Sequence, residues 1–230
     1  MDNFSKGIGI WQIISSNLIT DIIGKAGFDI TLIDLEHGLN NPKSLQDIVF
    51  TAKSNKMLSI ARLPCLNFPN ISQIIDTGVD GILFPHIEEK SQIEFIKKYS
   101  LLNPHGSRGF SPFVPKFDYG LKNNGEKKDI LIGVLVESIK GVKNIEAILE
   151  SPFIDFVYFG AYDLSVEIGK PGKIFDEEVM QNFERVLKVS NYFQKKSMAI
   201  YRNQYELELL KKSNVNFPIA SVDTNIFLNA

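Results

Sequence analysis

Leu58–His86 reads LSIARLPCLNFPNISQIIDTGVDGILFPH and holds one complete cycle of the pattern that runs through the whole chain. An apolar run from Leu58 to Leu63 leads into Pro64, an amphipathic segment from Phe68 to Asp76 stops at Gly78, and a second apolar run from Gly81 to Phe84 ends in Pro85-His86. Apolar runs this short suit strands buried on both faces. A strand, a helix with a glycine stop and another strand make a βα unit feeding a parallel sheet.

The same cycle extends in both directions. Strands are predicted at Ile8 to Ile13, Ile30 to Leu35, Leu58 to Leu63, Gly81 to Phe84, Leu131 to Glu137, Phe156 to Phe159, Met198 to Tyr201 and Pro218 to Val222. Helices are predicted over Asn17 to Lys25, Pro42 to Asn55, Phe68 to Asp76, Glu89 to Ser100, Gly141 to Leu149, Asp176 to Phe193 and Gln204 to Lys212. Pro42 after Asn40-Asn41 gives a capped start with proline in the first turn, and Gly27 and Gly78 stand where helices end. Eight strands with helices between them, no linker-like composition and no Gly-x-Gly-x-x-Gly after the first strand predict one (β/α)8 barrel over residues 1–230. An open dinucleotide-binding sheet is the reading they disfavour. Only Thr224 to Ala230 follow the eighth strand, so the barrel is expected to lack a full final helix. The apolar gap is expected to be covered by a second subunit of a homo-oligomer. Asn103 to Lys128 forms a long irregular connection, and we expect it on the catalytic rim.

Composition narrows the function. With 44% hydrophobic and 23% charged residues and a net charge of -2, the chain has no electrostatic footprint for nucleic acid or an anionic membrane, which leaves small-molecule chemistry. Cys65 is the only cysteine, which excludes an internal disulfide and a cysteine metal cluster. The start lacks a signal peptide's basic and apolar regions, and no run approaches the roughly 18 apolar residues of a membrane span. A soluble, cytoplasmic protein is expected.

In such a barrel, chemistry sits at the C-terminal ends of the strands. Five ends carry polar side chains: Asp34-Leu35-Glu36-His37, Arg62, His86, Glu137-Ser138, and Gly160-Ala161-Tyr162-Asp163. Glu137 and Asp163 follow apolar runs on neighbouring strands, and two unpaired carboxylates there would repel. A hard divalent cation, Mg2+ or Mn2+, removes that conflict; the alternative is that each carboxylate caps a helix or pairs with a base. Arg62 suits a substrate carboxylate or an enolate oxygen, or a structural ion pair. Histidine is the side chain that moves protons near neutrality, which makes His37 a candidate; His86 gives a weaker signal, and His105 reads as a loop residue. No predicted strand contains a lysine, so a metal route is favoured over a Schiff-base aldolase.

Taken in order, the motifs resemble the HpcH/HpaI aldolase/citrate lyase family, class II pyruvate aldolases with a phosphoenolpyruvate/pyruvate-type barrel. The resemblance covers almost the whole chain. It rests on Ala26-Gly27-Phe28-Asp29 running into Leu32-Ile33-Asp34-Leu35-Glu36-His37, then Arg62-Leu63-Pro64, and Asp76-Thr77-Gly78 before Leu83-Phe84-Pro85. It continues through Gly106-Ser107-Arg108-Gly109, Val136-Glu137-Ser138, Phe159 to Ser165 with Gly169-Lys170-Pro171-Gly172, and Val222-Asp223-Thr224.

The resemblance implies roles. Glu137 and Asp163 match the metal carboxylates, with Mg2+ or Mn2+ expected and Co2+ also compatible. Arg62 matches the arginine that holds the pyruvate oxygens. His37 matches the histidine that manages the proton, with Asp76 matching its acidic partner and Asp34 nearby. Backbone at Gly160 and Ala161 would approach the substrate carboxylate. The implied reaction makes or cleaves 4-hydroxy-2-oxo acids from a 2-oxo acid and an aldehyde through a metal-stabilised enolate. The alternatives are a citrate-lyase-like or malyl-CoA-like lyase and a degenerate, non-catalytic barrel. This chain departs from the family in three places: Leu135 where the family usually has Gln in the pyruvate pocket, Lys116 near a family arginine in the long loop, and the absent final helix.

Overall fold

Leu32 and Ile33, like Leu135 and Val136, are consecutive in sequence and all essentially inaccessible to water. Consecutive strand residues point to opposite faces, so both faces of these strands must be covered. The computed structural model, which describes residues 4–121 and 129–229, meets that demand with a closed parallel barrel inside a ring of helices. Its strands are β1 Gly9–Gln12, β2 Ile30–Asp34, β3 Leu58–Arg62, β4 Gly81–Phe84, β5 Leu131–Val136, β6 Phe156–Phe159, β7 Lys196–Tyr201 and β8 Phe217–Val222. They pair in chain order, and β8 returns to β1 with a register shift between Ile10 and Trp11. Two pairings position the site: Asp34 lies opposite Arg62 across β2 and β3, and Leu135 opposite Tyr158 across β5 and β6.

The helices are α1 Asn17–Lys25, α2 Pro42–Ser54, α3 Ile71–Asp76, α4 Lys90–Ser100, α5 Ile139–Lys143, α6 Ile145–Leu149, α7 Ala161–Glu167, α8 Glu177–Tyr192, α9 Gln204–Lys212 and α10 Asp223–Leu228. Asn41 caps α2 by accepting from the backbone N–H groups of Lys43 and Ser44, with Pro42 in the first turn as expected. Gly27 and Gly78 follow α1 and α3 at φ +89, the left-handed conformation that ends a helix. A Cβ on Gly27 would meet nothing within 4 Å. Gly27→Ala should therefore cost only the backbone strain, about 1 kcal/mol, readable as a fall of about 2–4 °C in Tm.

Three details differ from the expectation. The helix predicted from Phe68 begins at Ile71, because Pro69 lies in a turn before its cap at Asn70. The helix predicted over Gly141 to Leu149 is two helices meeting at Asn144. There Arg185 draws off the Val142 and Lys143 carbonyls, and the Asn144 amide donates to the Glu88 carbonyl. After Gly160 the chain turns directly into α7, which the sequence reading did not separate from the strand end. After β8 comes α10, only six residues long, so the barrel lacks a full final helix as expected.

Where it is described, the long connection is not on the catalytic rim. It leaves α4 and enters β5, and a helix-to-strand connection delivers the chain to the N-terminal end of the next strand. There Lys116 Nζ donates to the Val79 carbonyl at 3.0 Å, just before β4, and Arg108 pairs with Asp129 at 2.6 Å. Residues 122–128 of that connection lie outside the described residues.

Candidate active site

A cavity of about 270 Å³ opens at the C-terminal ends of the strands, with Leu135, Ile200 and Val222 giving it apolar walls. Arg62 projects into it and is gripped by Asp34. The guanidinium Nε donates to Asp34 Oδ1 at 3.0 Å, and Nη2 makes a very short contact to Oδ2. This is a bidentate fork across two adjacent strands, set by the register of β2 on β3. Nη1 lies 3.1 Å from Glu36, and the guanidinium stacks 4.7 Å from the Trp11 ring centroid. Burial pulls the guanidinium pKa down, but Asp34, Glu36 and Glu137 together more than offset it, so Arg62 stays charged.

Asp34 does a second task. Its Oδ1 also accepts the backbone N–H groups of Glu36 at 2.9 Å and His37 at 3.1 Å, so one carboxylate fixes both the arginine and the turn that presents His37 at the cavity edge.

Glu137 and Asp163 do converge. Glu137 leaves the end of β5 almost fully buried, while Asp163 lies in the first turn of α7 and is exposed at the mouth. They are close enough to share a proton. Burial, the Asp163 charge and that hydrogen bond push the Glu137 carboxyl up to about 8, although the backbone N–H of His86 pulls the other way. His86 lies two residues past β4 at φ +54 and addresses Glu137 Oε1 twice, through its backbone N–H and through Nδ1, each at 2.9 Å. Its Nε2 lies 3.7 Å from Glu36. Among the described residues, no cluster of three or more His, Cys, Asp or Glu is arranged around a metal position, so the candidate donors here are the two carboxylates.

Gly160 separates these acids with no room to spare: a Cβ there would lie 2.4 Å from the Glu137 Cβ and 3.2 Å from its Oε2. Glycine is needed for this close approach.

The expected residues Asp34, His37, Arg62, Leu135, Glu137, Gly160, Ala161 and Asp163 all line one cavity. Asp76 is not brought to His37. It closes α3 at the other end of the barrel, where Arg108, Lys116 and Asp129 surround it electrostatically and burial pushes its carboxyl up. His105 is a loop residue as read, packed against Phe153. β7 starts at Lys196, earlier than expected, so one strand does contain a lysine. It stands at the closed end of the barrel, and no described lysine lines the cavity. The sequence reading missed Trp11 and Tyr158, which face the cavity from β1 and β6, and underrated His86.

The chain is 28% identical to the hydroxypyruvate/pyruvate aldolase of Roseobacter denitrificans over 225 residues, spanning 96% of this chain and 88% of the relative. It is 25% identical to the 5-keto-4-deoxy-D-glucarate aldolase of Escherichia coli (strain K12) over 229 residues, 97% of this chain and 88% of that one. A solved HpcH/HpaI aldolase/citrate lyase family protein from Burkholderia cenocepacia superposes with a TM-score of 0.90 at 21% identity, covering 99% of this chain and 92% of the other. The family model itself matches residues 7–230. This chain therefore belongs to the HpcH/HpaI aldolase/citrate lyase family and is a carbon–carbon lyase of the aldolase type.

Proposed function

We propose that the protein is a divalent-metal-dependent aldolase that makes or cleaves 4-hydroxy-2-oxo acids, with a small 2-oxo acid such as pyruvate and an aldehyde as the partners. The observation that carries this reading is the meeting of Glu137 and Asp163 across Gly160, beside a cavity that also holds a permanent cation, Arg62. Two apposed carboxylates, one of them held largely protonated below about pH 8, form a donor set that a hard cation relieves. When bound, Mg2+ or Mn2+ would supply a Lewis acid that polarises the 2-oxo group and lowers the cost of its enolate.

The chain's own residues do the rest. Arg62, immobilised by Asp34 and Trp11, holds the substrate oxygens in one orientation and stabilises the charge that develops on them. The backbone at Gly160 and Ala161 lines the cavity, where it would approach the substrate carboxylate. In the cleavage direction the 4-hydroxyl loses its proton, the C3–C4 bond breaks to release the aldehyde, and C3 takes up a proton; His37 at the cavity edge handles the proton.

We also read the chain as a homo-oligomer. Leu18 and Ile22 on α1 and Ile226, Phe227 and Leu228 on α10 are exposed apolar side chains, and the closure of β8 on β1 brings their helices to the same side of the barrel. Sedimentation velocity should give a mass well above that of one 25.9 kDa chain.

The deciding experiment is turnover of pyruvate with a panel of aldehydes, with added Mg2+, Mn2+ or Co2+ and with excess EDTA. Activity should require the cation, and Glu137→Ala should lower kcat/KM by about a thousandfold. A folded protein that binds no cation by calorimetry and turns over none of the aldehydes would sink the reading. Gly160→Ala gives an independent check: displacing Glu137 should weaken cation binding by about tenfold or more, without replacing either carboxylate.

A further inference from the structure

Leu135 and Tyr158 face one another in the pairing of β5 with β6, and both line the cavity. On β5 that position is apolar, so no polar contact to a substrate can come from it. On β6 it carries a phenol, almost wholly buried, whose oxygen accepts the Trp11 indole N–H at 2.7 Å. Among the described residues no acceptor stands within reach of the Tyr158 hydroxyl's own hydrogen. A hydroxyl that accepts from an indole must turn its hydrogen away from that indole. A buried donor without an acceptor is costly, so a ligand oxygen in the cavity would relieve it. Burial also pushes the phenol's pKa up, which keeps it a donor.

We propose that Tyr158 is a substrate-binding residue: oriented by Trp11, its hydroxyl donates a hydrogen bond to an oxygen of the 2-oxo acid head group, supplying from β6 the polar contact that Leu135 does not supply from β5. This rests on the aldolase reading above. It also ties three groups together, because Trp11 bonds Tyr158 through its N–H and stacks on Arg62 with its ring face. A 2-oxo acid that touches Arg62 and Tyr158 therefore touches both neighbours of Trp11, the only tryptophan in the chain, and its fluorescence reports binding.

The test uses the full chain saturated with Mn2+ and titrated with pyruvate and with oxalate, followed by tryptophan emission and by calorimetry. Tyr158→Phe removes one oxygen and keeps the ring that packs on Trp11. Its emission spectrum shifts before any ligand is added, because the indole loses its acceptor. Mn2+ affinity should stay within about twofold of wild type, while pyruvate and oxalate bind about tenfold more weakly or worse. Adding Leu135→Gln to the Tyr158→Phe chain returns a polar group to the opposite strand and should recover most of the lost affinity. If Tyr158→Phe does not fold, wild-type emission decides: pyruvate bound to the Mn2+-saturated chain should change it, and binding without any change in emission overturns the proposal. If Tyr158→Phe binds pyruvate as wild type does, Tyr158 only packs against Trp11 and the proposal is overturned. If wild type itself fails to bind Mn2+, the aldolase reading falls first and takes this inference with it.

Discussion

Glu137→Gln should make the cation-free protein more stable and the enzyme inactive. The Glu137 carboxyl is buried and faces Asp163, so its folded-state value is raised to about 8, against about 4.3 for an unperturbed glutamate. A raised carboxyl value means that the folded chain binds a proton that the unfolded chain gives up. The stability linked to that proton is present below about pH 4.3 and is lost as the pH rises through about 8. The amide keeps the shape and carries no charge to bury, so the gain from the substitution grows across the same window. In EDTA near pH 9 the Tm of Glu137→Gln should exceed wild type by something on the order of 5 °C, with little difference near pH 4. Adding Mn2+ should reverse the order, because a cation bound only by the folded wild type stabilises it by mass action. Two thermal melts at each pH, with and without cation, read the whole argument. A variant that melts at or below wild type in EDTA near pH 9 would mean that the two carboxylates do not oppose one another.

That opposition was largely legible in the sequence, and the reason is specific. Strand ends in a buried parallel sheet are expected to be apolar, so Glu137, Asp163, Arg62 and Asp34 stood out as polar groups where nothing structural required them. The aromatic half of the site was hidden by the same logic. Trp11 and Tyr158 lie in strands whose every residue is buried, and an inward-facing aromatic then has the same pattern as one facing a helix. His86 was underrated because its contact with Glu137 depends on a left-handed backbone after Pro85, which local sequence does not announce. Asp76 and the long connection were misplaced for a shared reason. Both belong to segments that run from a helix toward the next strand, and such segments end at the opposite side of the barrel from the cavity.

The largest loss of stability is expected from Arg62→Ala. Asp34 is only 2% exposed, and both of its oxygens are occupied by Arg62. Truncating the arginine leaves a buried carboxylate with only two backbone N–H groups to hold it, and breaking a buried pair from one side costs about 3–5 kcal/mol. The turn carrying His37 should loosen as well, because the same carboxylate anchors it. Urea denaturation should show the midpoint falling steeply, and Arg62→Lys should fall less, since it keeps the charge but loses the fork and the stack on Trp11. Pairing Arg62→Ala with Asp34→Asn removes the stranded charge and should restore much of the stability. It should not restore turnover or 2-oxo acid binding, because no other described cation lines the cavity. That separation decides what Arg62 is for: a purely structural arginine would regain activity together with stability in the double variant, whereas one that holds the substrate would regain stability alone.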